Sequence, residues 1–290
     1  MLPQQIINGI SIGGIYALLA SGYSLIYSLL NFSNWAHGEV AMVGAFCAFY
    51  GVTIAQLPLP VAAVAAVLGS GIISLLNERL FYRRIRERNA PTMFLMIAAM
   101  GISTVLQNAT KNLFGVSVKI FPAMLSTTSV TIGNVTIGVY DLVSLAVATV
   151  ALVVLEFLVN KTKFGLGVRA VACSSYTSSL LGINVDRVLM GVFFMAGALA
   201  GAAGLLLGLK YNVSSTMGSI GTKAFVASVF GGLGSIKGAI VGALILGVLE
   251  TLVSGYVSSG LKDFVTYALL VLVLLIKPSG LMGVNVSEKV

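Results

Sequence analysis

Apolar residues in this chain run in long blocks separated by short polar stretches. One helical crossing of a bilayer takes roughly 20 consecutive apolar residues, range 17–25. Eight blocks qualify or nearly qualify: Gln5–Leu30, Gly38–Gln56, Val61–Leu80, Thr92–Leu113, Asp141–Val159, Val188–Leu209, Lys223–Val253 and Phe264–Ile276. The seventh is too long for one crossing and too short for two, and Gly231-Gly-Leu-Gly-Ser-Ile-Lys-Gly238 breaks it. Irregular backbone at membrane depth is tolerated where it lines a cavity. The break therefore predicts a re-entrant segment near residues 223–238, followed by one full crossing. The fold class is an all-α polytopic membrane protein with about eight transmembrane segments, a single transmembrane domain over residues 1–290.

Composition points the same way. Of 290 residues, 58% are hydrophobic and only 9% charged, against about 25% charged in soluble domains. The net charge of +8 is concentrated in loops beside apolar blocks and is no nucleic-acid footprint. One loop holds Arg79, Arg83, Arg84, Arg86 and Arg88 against Glu78 and Glu87; another holds Lys161, Lys163, Arg169 and Arg187 against Asp186. Two blocks separate them, so the positive-inside rule places both in the cytoplasm and the Phe114–Tyr140 loop on the other side. Parity then conflicts. Three blocks precede the first basic loop and three follow the second, which would leave both termini outside, whereas Lys277 and Lys289 favour the inside. A half-entering segment near 223–238 returns the C-terminus to the cytoplasm; the N-terminus has no matching escape. No Lys or Arg precedes the first block, so it reads as mature protein and not as a signal peptide.

Candidate chemistry is sparse. Cys47 and Cys173, the two cysteines, make no disulfide framework. His37, the single histidine, lies in Ala36-His37-Gly38-Glu39. It has too few neighbouring ligands for a metal site. Either the turn caps a helix beginning near Gly38, with Glu39 complementing the helix dipole, or its ionisable groups line a pathway. Lys237 lies between Ile236 and Gly238, so the Gly231–Gly238 run is no Walker A loop. No catalytic residues and no cofactor are expected. Gly9/Gly13, Gly197/Gly201, Gly204/Gly208 and Gly238/Gly242 have the spacing that lets membrane helices approach closely. Asn34–Phe46 and Gly234–Leu244 each place a polar, glycine-bearing break before a Gly/Ala-rich helix. That echo reads either as an internal repeat with a pathway at its interruptions or as the common look of small-residue helices.

The most polar stretch runs from Lys163 to Arg187. It predicts a short helix outside the bilayer. Tyr176 and Leu180 share a face at i, i+4 spacing, with Leu181 beside them and Gly182 closing the segment. Such a stripe fits a groove on a soluble partner. With few other large apolar residues, it is less suited to deep lipid insertion.

Together these residues resemble the bacterial branched-chain amino acid ABC transporter permeases of the LivH type, almost end to end. The resemblance rests on Asn8-Gly-Ile-Ser-Ile-Gly-Gly-Ile-Tyr-Ala-Leu18, Asn34-Trp-Ala-His-Gly-Glu39 and Glu78-Arg-Leu-Phe-Tyr-Arg83. It continues through Phe164-Gly-Leu-Gly-Val-Arg169, Leu181-Gly-Ile-Asn-Val-Asp-Arg187, Gly231-Gly-Leu-Gly-Ser-Ile and Lys277-Pro-Ser-Gly-Leu281. It implies an inner-membrane importer subunit for branched-chain or related amino acids. The implied partners are a LivM-like second permease, two cytoplasmic ABC ATPases and a periplasmic amino-acid-binding protein, in a lipid membrane and with no nucleic acid. It assigns ATPase coupling to the loop of about residues 160–187, with Gly165, Arg169, Tyr176, Leu180, Leu181 and Gly182. Ser174-Ser175-Tyr176 stands where relatives often carry charged or amide residues. The expected substrate pathway comprises Asn34, His37, Gly38 and Glu39 with Gly231 and Gly234. An ion-coupled secondary transporter using Glu39 or Glu250, or a non-transporting scaffold, is the alternative reading.

Overall fold

A computed structural model describes residues 2–122, 129–132 and 135–283, so Lys289 and parts of the Phe114–Tyr140 loop lie outside the described residues. The chain opens with α1 (Leu2–Leu30), α2 (His37–Thr53) and α3 (Leu59–Asn77). A π turn (Glu78–Tyr82) then leads without a break into α4 (Arg83–Glu87). α5 (Thr92–Phe114) is followed by an antiparallel hairpin, β1 (Ser129–Ile132) and β2 (Val135–Gly138), which the sequence pattern had not marked. Next come α6 (Val139–Lys161), α7 (Lys163–Cys173), α8 (Ser175–Leu180) and α9 (Val185–Lys210). A 3₁₀ turn (Met217–Ser219), α10 (Ile220–Gly231), α11 (Ile236–Tyr256) and α12 (Lys262–Ile276) complete the described chain. Asn31, at φ +50°, ends α1 in the left-handed conformation and donates its N–H to the Tyr27 carbonyl at 2.9 Å. Pro60 sits in the first turn of α3, where its missing N–H removes no helical bond.

Among the described residues six helices are by themselves long and apolar enough to cross a membrane. α2, at 17 residues, α10, at 12, and α12, at 15, rise only about 25, 18 and 22 Å. Each is shorter than a hydrocarbon core of about 30 Å. α1 and α9 form the buried centre of the bundle. α11 lies along α1 and α3 along α9, and in both contacts small residues let the backbones meet. A Cβ on Gly9 would lie 2.5 Å from the Val248 Cα, and one on Gly197 would strike Ser74 and the Ser70 carbonyl. The Gly-x-x-x-Gly pairs are thus spent on internal packing.

End-to-end contacts define two poles. Gln4 exchanges two hydrogen bonds with the Thr136 backbone (2.7 and 2.8 Å), Lys119 pairs with Val213, and Lys210 meets Asp141 at 2.8 Å. These contacts bring the starts of α1 and α6 and the end of α9 to one pole, with the β-hairpin. Arg86 meets Asp186, Lys237 meets Glu156, and the Leu281 and Met282 N–H groups reach Phe230 and Gly231 at the other, basic pole.

Relative to these poles α1–α2–α3 and α9–α10–α11 are the same sequence of long, short and long helix, run in opposite directions. The hairpin of each unit packs on the long helix of the other. This corrects the echo read from the sequence, which matched the start of α2 with the start of α11; the counterpart of α2 is α10. It also resolves the parity conflict. The block read as Lys223–Val253 is two helices, and the stretch 211–219, which ends in the 3₁₀ turn, completes the crossing that α10 makes only in part. Three crossings then precede the first basic loop, and α10, α11 and α12 return the chain after Lys277 to the basic pole.

Candidate functional site

After Asn31 the chain turns back into the bundle before α2 begins. Asn34 fixes this turn: its Oδ1 accepts from the Ala36 N–H at 3.2 Å and from the Tyr82 hydroxyl at 2.8 Å. α2 therefore starts inside, beside Gly22 of α1. A Cβ on Gly22 would stand 2.5 Å from His37 Nε2. His37 is fully buried and meets Tyr23 edge to face at 4.7 Å. Neither of its ring nitrogens has a hydrogen-bond partner, and no side chain caps α2, so His37 is not the helix cap the sequence suggested.

α10 begins at the same place. A Cβ on Gly38 would collide with the Gly218 carbonyl and lie 3.0 Å from the Gly221 Cα. The Glu39 carboxylate fills the space that any side chain on Gly218 would need. Ser103 and Lys111 of α5 lie near it. Trp35 lies 5.4 Å from Phe225 of α10 and remains 37% exposed. Two helix N-termini, with their positive dipole ends, thus converge inside the bundle, and Glu39 lies in the first turn of α2. The arrangement is polar, with Glu39 and Lys111 among its ionisable groups and glycines where the backbones meet.

This waist joins Asn34, His37, Gly38 and Glu39 to Met217–Gly221. No charged or amide residue marks Met217–Gly221, so the sequence does not single it out. Gly231 and Gly234 are not part of the waist. They lie at the basic pole, where Gly231 packs on Gly238 and Gly234, at φ +86°, has Tyr27 and Ser28 as its neighbours.

The basic pole carries a second constellation. Thr162 caps α7 by accepting the Gly165 N–H at 3.1 Å, and Gly165 presses on the Leu158 and Val159 carbonyls so closely that no side chain fits. Arg169 donates to the Val159 carbonyl. Ser174 caps α8 through the Thr177 N–H at 3.2 Å, and Asn184 caps α9 through Arg187 at 3.0 Å. Gly182, at φ +81°, turns the chain between them. Tyr176, Leu180 and Leu181 point outward, 74%, 70% and 76% exposed, and Leu166 of α7 adds to the same outer surface at 60%.

An ion-pair network ties this platform to α3 and α4. Asp186 meets Arg83 at 3.1 Å and Arg86 at 2.6 Å; Arg86 also meets the fully buried Glu78 at 2.9 Å. Both basic loops are therefore clamped into one body. Tyr82, in the π turn that includes Glu78, is the residue that holds Asn34 at the waist, so platform and waist share a helix. The opposite charges in the two loops are visible in the sequence, but their pairing across a hundred residues is not.

A family model described as branched-chain amino acid transport system / permease component matches residues 5–274. The high-affinity branched-chain amino acid transport system permease protein LivH of Salmonella typhimurium (strain LT2) is 36% identical over 99% of this chain and 97% of its own length. BraD, the corresponding permease protein of Pseudomonas aeruginosa, is 35% identical with the same coverage. A probable branched-chain amino acid permease protein LivH of Methanocaldococcus jannaschii is 30% identical over 97% of this chain and 93% of its own length.

Proposed function

The chain belongs to the branched-chain amino acid transport system permease family, and from that membership we propose that it is the conduit subunit of an ABC importer. It is a multi-pass protein of the bacterial inner membrane, in a family of transporters and not of enzymes. Its cargo is a branched-chain or related amino acid. Two cytoplasmic ABC ATPases drive it, a LivM-like permease stands beside it, and a periplasmic amino-acid-binding protein delivers the substrate. The observation that carries this reading is near-complete, colinear similarity to permease proteins of that system.

The basic pole is then cytoplasmic. The 160–187 platform docks an ATPase through Tyr176, Leu180 and Leu181, with Gly165, Arg169 and Gly182 shaping it. The exposure of those three side chains and the clamp at Asp186 support this: motion imposed on the platform reaches α3 and, through Tyr82, the waist. Substrate crosses beside Asn34, His37, Gly38 and Glu39, while the Gly231–Gly234 break serves as the hinge at the cytoplasmic end. A zwitterion held tightly by one state would not pass to the next, which fits the weakly polar waist.

The ion-coupled alternative loses one of its two candidate carboxylates: Glu250 is engaged by Lys223 and by the Tyr16 hydroxyl at 2.9 Å. The test is uptake of labelled leucine, isoleucine and valine into proteoliposomes carrying the full complex. Uptake that needs ATP and the binding protein is expected. Uptake driven by a sodium or proton gradient without ATP would overturn the proposal.

A further inference from the structure

Between α3–α4 and α5 lies an open groove of about 550 Å³ that no described element of this chain fills. One wall is Leu80, Phe81 and Ile85; the other is Ala98, Ile102 and Val105. Its floor includes Gly101, where a Cβ would meet nothing within 4 Å. Arg84 and Arg88 line it as well. The ion pairs of this region engage Arg83 and Arg86, while Arg84 and Arg88 make none among the described residues. From Asn77 to Arg88 the helix rises about 16 Å, close to the roughly 15 Å of one leaflet of the hydrocarbon core.

We propose that this groove is a binding site for one anionic phospholipid of the leaflet at the basic pole. An acyl chain lies along the apolar walls over Gly101, and the phosphate is held by Arg84 and Arg88. Unpaired guanidiniums at the headgroup end of a leaflet-length apolar slot complement a lipid with a negative head. Basic pockets between transmembrane helices on the cytoplasmic side recognise such headgroups. A second copy of this chain is a poorer occupant, because it would bring its own arginine-rich loop against these two. The site requires only that the chain spans a bilayer, so it stands apart from the identity of the cargo.

The test is native mass spectrometry of the full-length protein, purified with its accompanying subunits from membranes holding phosphatidylglycerol and phosphatidylcholine. One retained phosphatidylglycerol is expected, in preference to phosphatidylcholine. The R84Q/R88Q variant should lose retention on the order of tenfold, while Arg79→Gln, the loss of one charge outside the groove, should not. Gly101→Phe, which fills the floor and keeps both arginines, should lower retention too, and added glycerol phosphate should not displace the lipid. Melting curves matching the parent establish that the variants fold. Equal retention of the two lipids, undiminished retention in R84Q/R88Q, or indifference to Gly101→Phe would each overturn the site. So would a Gly101→Cys crosslink to the second permease in a lipid-free complex, which would make the groove a protein seat.

Discussion

The backbones of Gly38 and Gly221 touch: a methyl group on Gly221 would stand 2.6 Å from the Gly38 Cα. Two helices that each cross only part of the membrane meet there at their N-termini, and the meeting leaves no room for a side chain. Overpacking of this kind costs about 1–3 kcal/mol. Gly38→Ala and Gly221→Ala are each expected to impair amino acid uptake in proteoliposomes strongly while the ATPases still co-purify. Wild-type uptake in both would place the passage elsewhere.

Leu181 is an outward-facing residue with nothing of its own chain to support. Leu181→Asp should shift stability by no more than about 0.5 kcal/mol. It should nevertheless remove a contact of hot-spot size, about 2 kcal/mol or more. The readouts are a melting curve, expected unchanged, and ATPase co-purification, expected to fall at least tenfold. Full ATPase association would show that the platform docks something else or nothing.

Arg86 holds a buried carboxylate. Arg86→Ala leaves Glu78 uncompensated, a loss of about 3–5 kcal/mol by analogy with broken buried pairs. The double variant R86A/E78Q should recover most of the lost melting temperature, because no stranded charge remains. If the double variant melts as low as Arg86→Ala alone, the pair's contribution lies in packing.

Lys223 bridges Glu250 and Asp263, the latter at 2.7 Å. Lys223→Met should destabilise the protein, and adding Glu250→Gln should restore it. ATP-driven uptake should survive in the double variant, because these groups are structural. Loss of uptake in a stable K223M/E250Q protein would favour the ion-coupled reading.

Much of this fold was legible because lipid demands long apolar blocks, and the blocks ending at Leu30, Leu113, Val159 and Leu209 lie close to the real helix ends. The short helices were harder. α10 merged with α11 in the apolar count because Ala224–Phe230 is as hydrophobic as any full crossing, and only the glycines marked the join. The outward side chains Tyr176, Leu180 and Leu181 followed from spacing alone. The waist was half legible. Asn34–Glu39 is polar and noticeable, whereas its partner, Met217–Gly221, acts through missing side chains. Arg83, Arg86 and Asp186 could be counted but not paired, because pairing over a hundred residues is a property of the packed bundle.

The opposed arrangement of α1–α3 and α9–α11 has a consequence for how the chain must be inserted. α5 leans on α2 as α12 leans on α10, which leaves α6 as the membrane helix without a twin. Five traversals separate the start of α1 from the start of α9, and an odd number is what turns the second unit upside down. Were α6 deleted with its loops rejoined, the even count would deliver α9 upright. Its terminal partners would then be on the wrong side of the bilayer, however good the remaining contacts. α6 contributes little to the buried centre; its indispensable property is arithmetical, and a translocon reading helices one by one decides there whether the two units face each other or merely follow.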